Sequence, residues 1–145
     1  MYWVIGVDPG LTSGVALISV TPESCKIELM GQRTPEEVSY TLHTCKQHRT
    51  GQLGYMYLAY EMFNSAGYRT KESTTTTELV GYLKYSAIDY GFVPVPQTNQ
   101  NRLAFLGPAK VLAASCYPDT KFRVHELDAL AHALRCKDSV ERGMI

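Results

Sequence analysis

With 145 residues, 45% of them hydrophobic, the chain can bury a core as one domain and is not a disordered tail. Lys+Arg and Asp+Glu both number 14, so it lacks the basic excess of a protein that coats nucleic acid uniformly. No apolar run approaches the ~20 residues of a bilayer span, and MYWVIGVDPG has neither the charged opening nor the cleavage site of a secretory signal. Cys25, Cys45, Cys116 and Cys136 lack CxxC spacing, so reduced thiols and a cytoplasmic location are expected.

Tyr2 to Val7 is rich in β-branched and aromatic residues and stops at Asp8-Pro9-Gly10, a turn signature. Ser13 to Val20 reads as a second strand. After Thr21-Pro22-Glu23-Ser24 comes a third, Cys25 to Gln32. Short connections make these three antiparallel neighbours. At Thr34-Pro35-Glu36-Glu37 a helix is announced: Thr34 caps, Pro35 suits the first position and Glu37 completes a capping box. Val38, Leu42 and Cys45 follow at helical spacing, up to Arg49. Gly54 to Phe63 is apolar almost throughout, as a strand covered on both faces is.

Phe63 to Ser73 reads as a polar loop. A helix then follows from the Thr74 to Thr77 run, carrying Leu79, Leu83, Ala87 and Tyr90 and stopped by Gly91. Phe92 to Pro96 is a short fifth strand whose two prolines suit an edge. Asn101 to Ser115 is helical, with a break expected at Gly107-Pro108. The last helix, Val124 to Cys136, is expected to pack Leu127, Leu130, Ala131 and Leu134 inward. The order predicts an α/β fold: a five-stranded mixed sheet, a three-strand antiparallel meander plus two parallel strands, with helices on both faces.

Asp8 ends an apolar strand beside Pro-Gly, where a carboxylate serves either turn amides or a site at the sheet edge. Glu61 is the one acidic residue in YLAYEMF; a buried carboxylate there needs a cation or donors. With the two strands parallel neighbours, both carboxylates project from adjacent carboxyl ends. In HELDALAHAL, His125, Asp128 and His132 share one helical face, the spacing of ligands reaching one metal or of an ordinary solvated stripe. For His132 alone the structural role is the expected one, and Glu126 turns away to solvent. Oxygen-rich ligands of this kind suit Mg²⁺ or Mn²⁺ rather than zinc.

VIGVDPGLTSGVALI, YLAYEMF and HELDALAHAL resemble, in order and separation, the three signature segments of the RuvC family of Holliday-junction resolvases, the phage-encoded branch above all. The resemblance implies one RNase H-like nuclease domain over residues 1–145, working in DNA recombination and repair as a homodimer on four-way junctions. It implies two-metal phosphodiester hydrolysis with two Mg²⁺ or Mn²⁺ ions per site, leaving 5′-phosphate and 3′-hydroxyl ends. Asp8, Glu61 and Asp128 fall on the family's metal-binding carboxylates. His125 falls where many members have an acidic residue and some have histidine, as a metal ligand or a water-orienting group. Gly107-Pro108-Ala109-Lys110 resembles the family stretch with a basic residue near the scissile phosphate, so Lys110 is a DNA-contact candidate. Arg102, Arg69 and Lys71 are weaker ones, with Phe63 or Tyr68 offered for stacking on an unpaired base. Tyr82, Tyr85 and Tyr90, on the helix from Thr76 to Tyr90, are the expected dimer contacts.

Other readings stay open. The fold can serve a non-catalytic DNA-binding protein, or a nuclease for flaps, forks or RNA–DNA hybrids. Asp8 to Thr12 also resembles the phosphate loop of sugar kinases and actin-like ATPases, but these clamp a nucleotide between two such domains. No membrane partner and no nucleotide cofactor are expected.

Overall fold

The chain alternates strands and helices in the order β1 (Tyr2–Asp8), β2 (Ser13–Val20), β3 (Cys25–Arg33), α1 (Pro35–Arg49), β4 (Met56–Glu61), α2 (Lys71–Tyr90), β5 (Val93–Gln97), α3 (Arg102–Cys116) and α4 (Val124–Glu141). These come from a computed structural model that describes residues 1–49, 54–62, 70–100 and 102–145.

The sheet order is β3-β2-β1-β4-β5. β1 to β3 form the antiparallel meander, and β1, β4 and β5 run parallel. As the prolines require, β5 is an edge strand, with Pro94 and Pro96 exposed. Alternate residues of the central strands feed two cores. Ile5, Val7 and Leu58 pack with Leu42 of α1 and Leu83 of α2. On the other face Val4, Ile18 and Ala59 pack with Ala109 of α3 and Leu130 of α4. A strand sandwiched in this way has no polar side to show, which is why β1, β2 and β4 read as continuous apolar runs.

Helix α1 starts as its sequence dictates: Glu37 N–H donates to Thr34 Oγ1 (3.3 Å) and Thr34 N–H to Glu37 Oε1 (3.2 Å). Several expectations about the helices need correction. Helix α2 begins at Lys71, ahead of the threonine run, because Thr70 and Ser73 form a capping box of their own. Lys71 is therefore an exposed first-turn residue, not a loop residue. Helix α3 runs unbroken through Gly107-Pro108. The proline costs one backbone hydrogen bond, but Ala109 and Ala113 are buried against the core and hold the helix on course.

Helix α4 continues to Glu141, its polar end carrying ion pairs at i,i+4 spacing, Lys137–Glu141 (2.7 Å) and Asp138–Arg142 (3.0 Å). Its inward face also differs from expectation. Ala129, Leu130, Ala131, Ala133 and Cys136 are buried, whereas Leu127 and Leu134 are only partly so.

Small residues let α4 lie directly on the sheet. A methyl group added at Gly6 of β1 would collide with the Ala129 carbonyl, and one at Gly14 of β2 with the His125 carbonyl. Glycine is required at both positions by this close approach.

Candidate metal centre

β1, β4 and β5 end together. Val7 pairs with Tyr60, and Glu61 pairs with Gln97, so Asp8, Glu61 and Gln97 stand in a row along the carboxyl ends of three parallel strands. Beyond Asp8 the turn is pinned by Ser13, whose hydroxyl accepts from Gly10 N–H (3.2 Å) and donates to the Gly10 carbonyl (3.3 Å). Ligands of open parallel sheets bind at this edge.

Helix α4 crosses the edge and brings three polar side chains down onto it. His125 Nδ1 lies 2.9 Å from Asp8 Oδ2; since a carboxylate only accepts, the ring donates. Asp128 is buried and near enough to raise the Asp8 pKa electrostatically. His132 Nε2 lies 3.6 Å from Glu61 Oε2, while its Nδ1 sits 2.7 Å from Gln97 Oε1 and its backbone carbonyl accepts from Gln97 Nε2 (3.1 Å). Ligand atoms of Asp8, Glu61 and His132 all fall within 4.8 Å of one another. The His125 side chain is 52% exposed and that of His132 only 9%, so the first stands at the solvent edge and the second at the wall.

Burial is the main force raising the Asp8 pKa above its ordinary value. The His125 hydrogen bond works the other way, and the charges of Asp128 and Glu61 raise it further. The charges of Asp128 and Glu61 repel that of Asp8, and a divalent cation would relieve them. Oxygen donors with an imidazole beside them are compatible with a divalent cation.

Solved structures resemble the chain over nearly its whole length. RuvC of Thermus thermophilus in complex with Holliday junction substrate has a TM-score of 0.68 at 16% identity, covering 99% of this chain and 97% of that one. A further Thermus thermophilus RuvC structure gives 0.68 at 17% identity, over 97% and 96%. The fold is the RNase H-like fold of RuvC. Fowlpox virus resolvase, in complex with Holliday junction DNA, follows at 0.60 and 9% identity, over 94% of this chain and 99% of that one. No family model matches the chain, and no curated protein matches it in sequence.

Within this RuvC fold, Asp8, Glu61, His125 and Asp128 all face the same strand ends. Gln97 was not expected there, and His132, though on the same helical face, was expected only in a structural role. A histidine at i+4 from Asp128, inside a run of buried alanines and leucines, needs a polar partner, and that was the signal to follow. The partner, Gln97, closes the fifth strand at the same edge.

Among the DNA-contact candidates, Lys110 is exposed on α3, Arg102 opens that helix and Lys71 opens α2. Phe63, Tyr68 and Arg69 lie outside the described residues. Of the three tyrosines expected at a dimer contact, Tyr82 bonds to Ser39 of α1 (2.8 Å) and Tyr90 packs edge-on to Phe92. Tyr85 is exposed on α2, as is Ile88. A groove of about 550 Å³ between β3 and α1, lined by Leu29, Tyr40, Cys45 and His48 among others, includes none of the metal-centre residues.

Proposed function

We propose that the chain is a divalent-metal-dependent endodeoxyribonuclease that cleaves four-way junctions, working as a homodimer with one centre per strand. The observation that carries this is the meeting of Asp8 and Glu61 at adjacent parallel strand ends beneath the polar face of α4, in a fold shared with two junction resolvases.

Asp8, Glu61, Asp128 and His125 are the residues that would hold the two ions. When bound, the ions supply an activated water and stabilise the leaving oxygen of the phosphodiester. The rest falls to the chain itself. His125, at the solvent edge, donates its Nδ1 proton to Asp8 and so fixes that carboxylate's orientation. Gly6 and Gly14 keep α4 close enough for its side chains to reach the strand ends. Helix α3 carries Arg102 and Lys110 and no acidic residue in its sequence, and Lys110 is exposed, as a phosphate contact requires. The neutral net charge is consistent with this, because acidic groups are gathered at the centre while cations stand apart.

The test is cleavage of labelled four-way junction, fork, flap, RNA–DNA hybrid and linear duplex in Mg²⁺, Mn²⁺ or EDTA. We expect paired, metal-dependent nicks in the junction, and loss of cleavage with retained junction binding in Asp8→Asn. Preference for a fork, flap or hybrid would replace the substrate. Undiminished cleavage by Asp8→Asn would remove the mechanism.

A further inference from the structure

Gln97 and His132 are held face to face by two hydrogen bonds, and their polarity is forced. The His132 carbonyl can only accept, so the Gln97 group opposite it (3.1 Å) is the amide nitrogen. The other Gln97 atom is then the oxygen, which also only accepts, and His132 Nδ1 at 2.7 Å must carry the proton. In the neutral ring this leaves Nε2 as a bare lone pair. That lone pair is aimed at Glu61, 3.6 Å from Oε2, within the 4.8 Å cluster that includes Asp8. Nε2 and the Glu61 carboxylate can be joined either by a proton on the ring or by a metal ion held between them, and only the second also draws in Asp8. The His132 side chain is 9% exposed and that of Glu61 28%, so an ion can reach the pair from the carboxylate side.

We infer that His132 contributes a nitrogen ligand, through Nε2, to the metal centre, and that Gln97 is the positioning residue that fixes its tautomer. The inference rests on the metal-centre reading above and adds to it a ligand and a preference. Metal-bound histidines characteristically donate their other ring N–H to an acceptor that sets ring orientation and basicity, which is the relation Gln97 has to His132. A nitrogen donor among carboxylates moves the centre away from Mg²⁺, which favours oxygen, and towards Mn²⁺.

Two measurements test this without any assay of cleavage. Long-range ¹⁵N–¹H correlation spectra of the metal-free protein should show His132 with a protonated Nδ1 and an unprotonated Nε2, and Mn²⁺ should broaden the His132 ring signals first. A ring protonated on Nε2, or one that Mn²⁺ leaves sharp, would overturn the inference. Calorimetric titration with Mn²⁺ and Mg²⁺ then compares variants with intact circular dichroism. We expect His132→Ala and Gln97→Met to weaken Mn²⁺ binding about 10–100-fold and Mg²⁺ binding less, with Gln97→Glu, which restores an acceptor to Nδ1 but loses the amide N–H given to the His132 carbonyl, recovering part of the loss. Asp8→Asn separates the two levels. If it abolishes Mn²⁺ binding while His132→Ala and Gln97→Met bind as the wild type does, the nitrogen ligand is wrong and the carboxylate centre stands. If Asp8→Asn binds Mn²⁺ undiminished, the centre itself is misassigned.

Discussion

Burial lifts the Asp8 carboxyl above its ordinary value of 3.8, Asp128 and Glu61 lift it further, and the His125 hydrogen bond only partly offsets them. A carboxyl whose folded pKa is raised binds its proton more tightly in the native state than in the unfolded one. Its effect on stability is therefore most favourable below the unfolded value and is lost as pH rises through the folded one. At neutral pH, ionised Asp8 destabilises the metal-free protein. Asp8→Asn keeps an acceptor for His125 and removes the charge, so it should melt higher than the wild type in EDTA. The expected gain is about 0.5–2 kcal/mol, with roughly 2–4 °C for each kcal/mol in a chain of this size. The gap should open as pH climbs from about 4 towards neutrality and close in acid. Melting curves of the two proteins across that range check it, and a variant that melts lower at pH 7 would contradict the sign. Catalytic groups held at a cost to stability are common where burial and like charges are gathered.

At the scale of elements, everything depends on how closely α4 sits on β1 and β2. The sequence marks the polar face of this helix through His125 and Asp128 and its inward face through Leu127, Leu130, Ala131 and Leu134, all in or against the core, but not the alanines that touch the sheet. That rule works where side chains interdigitate, and it fails where backbones touch. Here Ala129 and Ala133 lie over Gly6, and the His125 turn lies over Gly14, so the contact is made by residues with almost no hydrophobic signal. The start of α2 was hidden for a related reason: its cap is Thr70 with Ser73, and the first turn between them is charged rather than apolar. Gly6→Ala and Gly14→Ala test the contact. Each methyl meets backbone, which cannot swing aside, so α4 must lift. We expect a loss of about 1–3 kcal/mol and, with it, weaker Mn²⁺ binding, because three of the polar side chains move with the helix. Gly107→Ala on α3 is the matched control. Nothing lies within 4 Å of its added methyl, and there the substitution should stabilise by about 0.5–1 kcal/mol. If Gly6→Ala behaved like Gly107→Ala, the close approach would be wrong.

For the whole molecule, sequence was enough to place five strands and their directions, because β1, β2 and β4, covered on both faces, show as apolar runs and the shorter β3 and β5 are bounded by turn and proline signals. It pointed to Asp8 and Glu61, since an acid at the end of such a run stands out, and the strand pairing brings these two to adjacent ends. It could not show that Gln97 ends level with Glu61, or that His132 turns towards it, because those facts depend on register between strands far apart in the chain. The assembled centre has a global consequence. Its ligands come from β1, β4 and α4, so an ion bound there ties together elements that the unfolded chain leaves apart, and it binds the native state alone. Such a ligand at 100 times its dissociation constant stabilises by about 2.7 kcal/mol, or roughly 5–10 °C here. Thermal scans with increasing Mn²⁺ should therefore show a rising midpoint that EDTA reverses. Asp8→Asn, although it starts higher in EDTA, should stay flat, so the two curves cross as metal is added. Parallel curves, with the variant gaining as much as the wild type, would mean that the ion binds somewhere other than at Asp8.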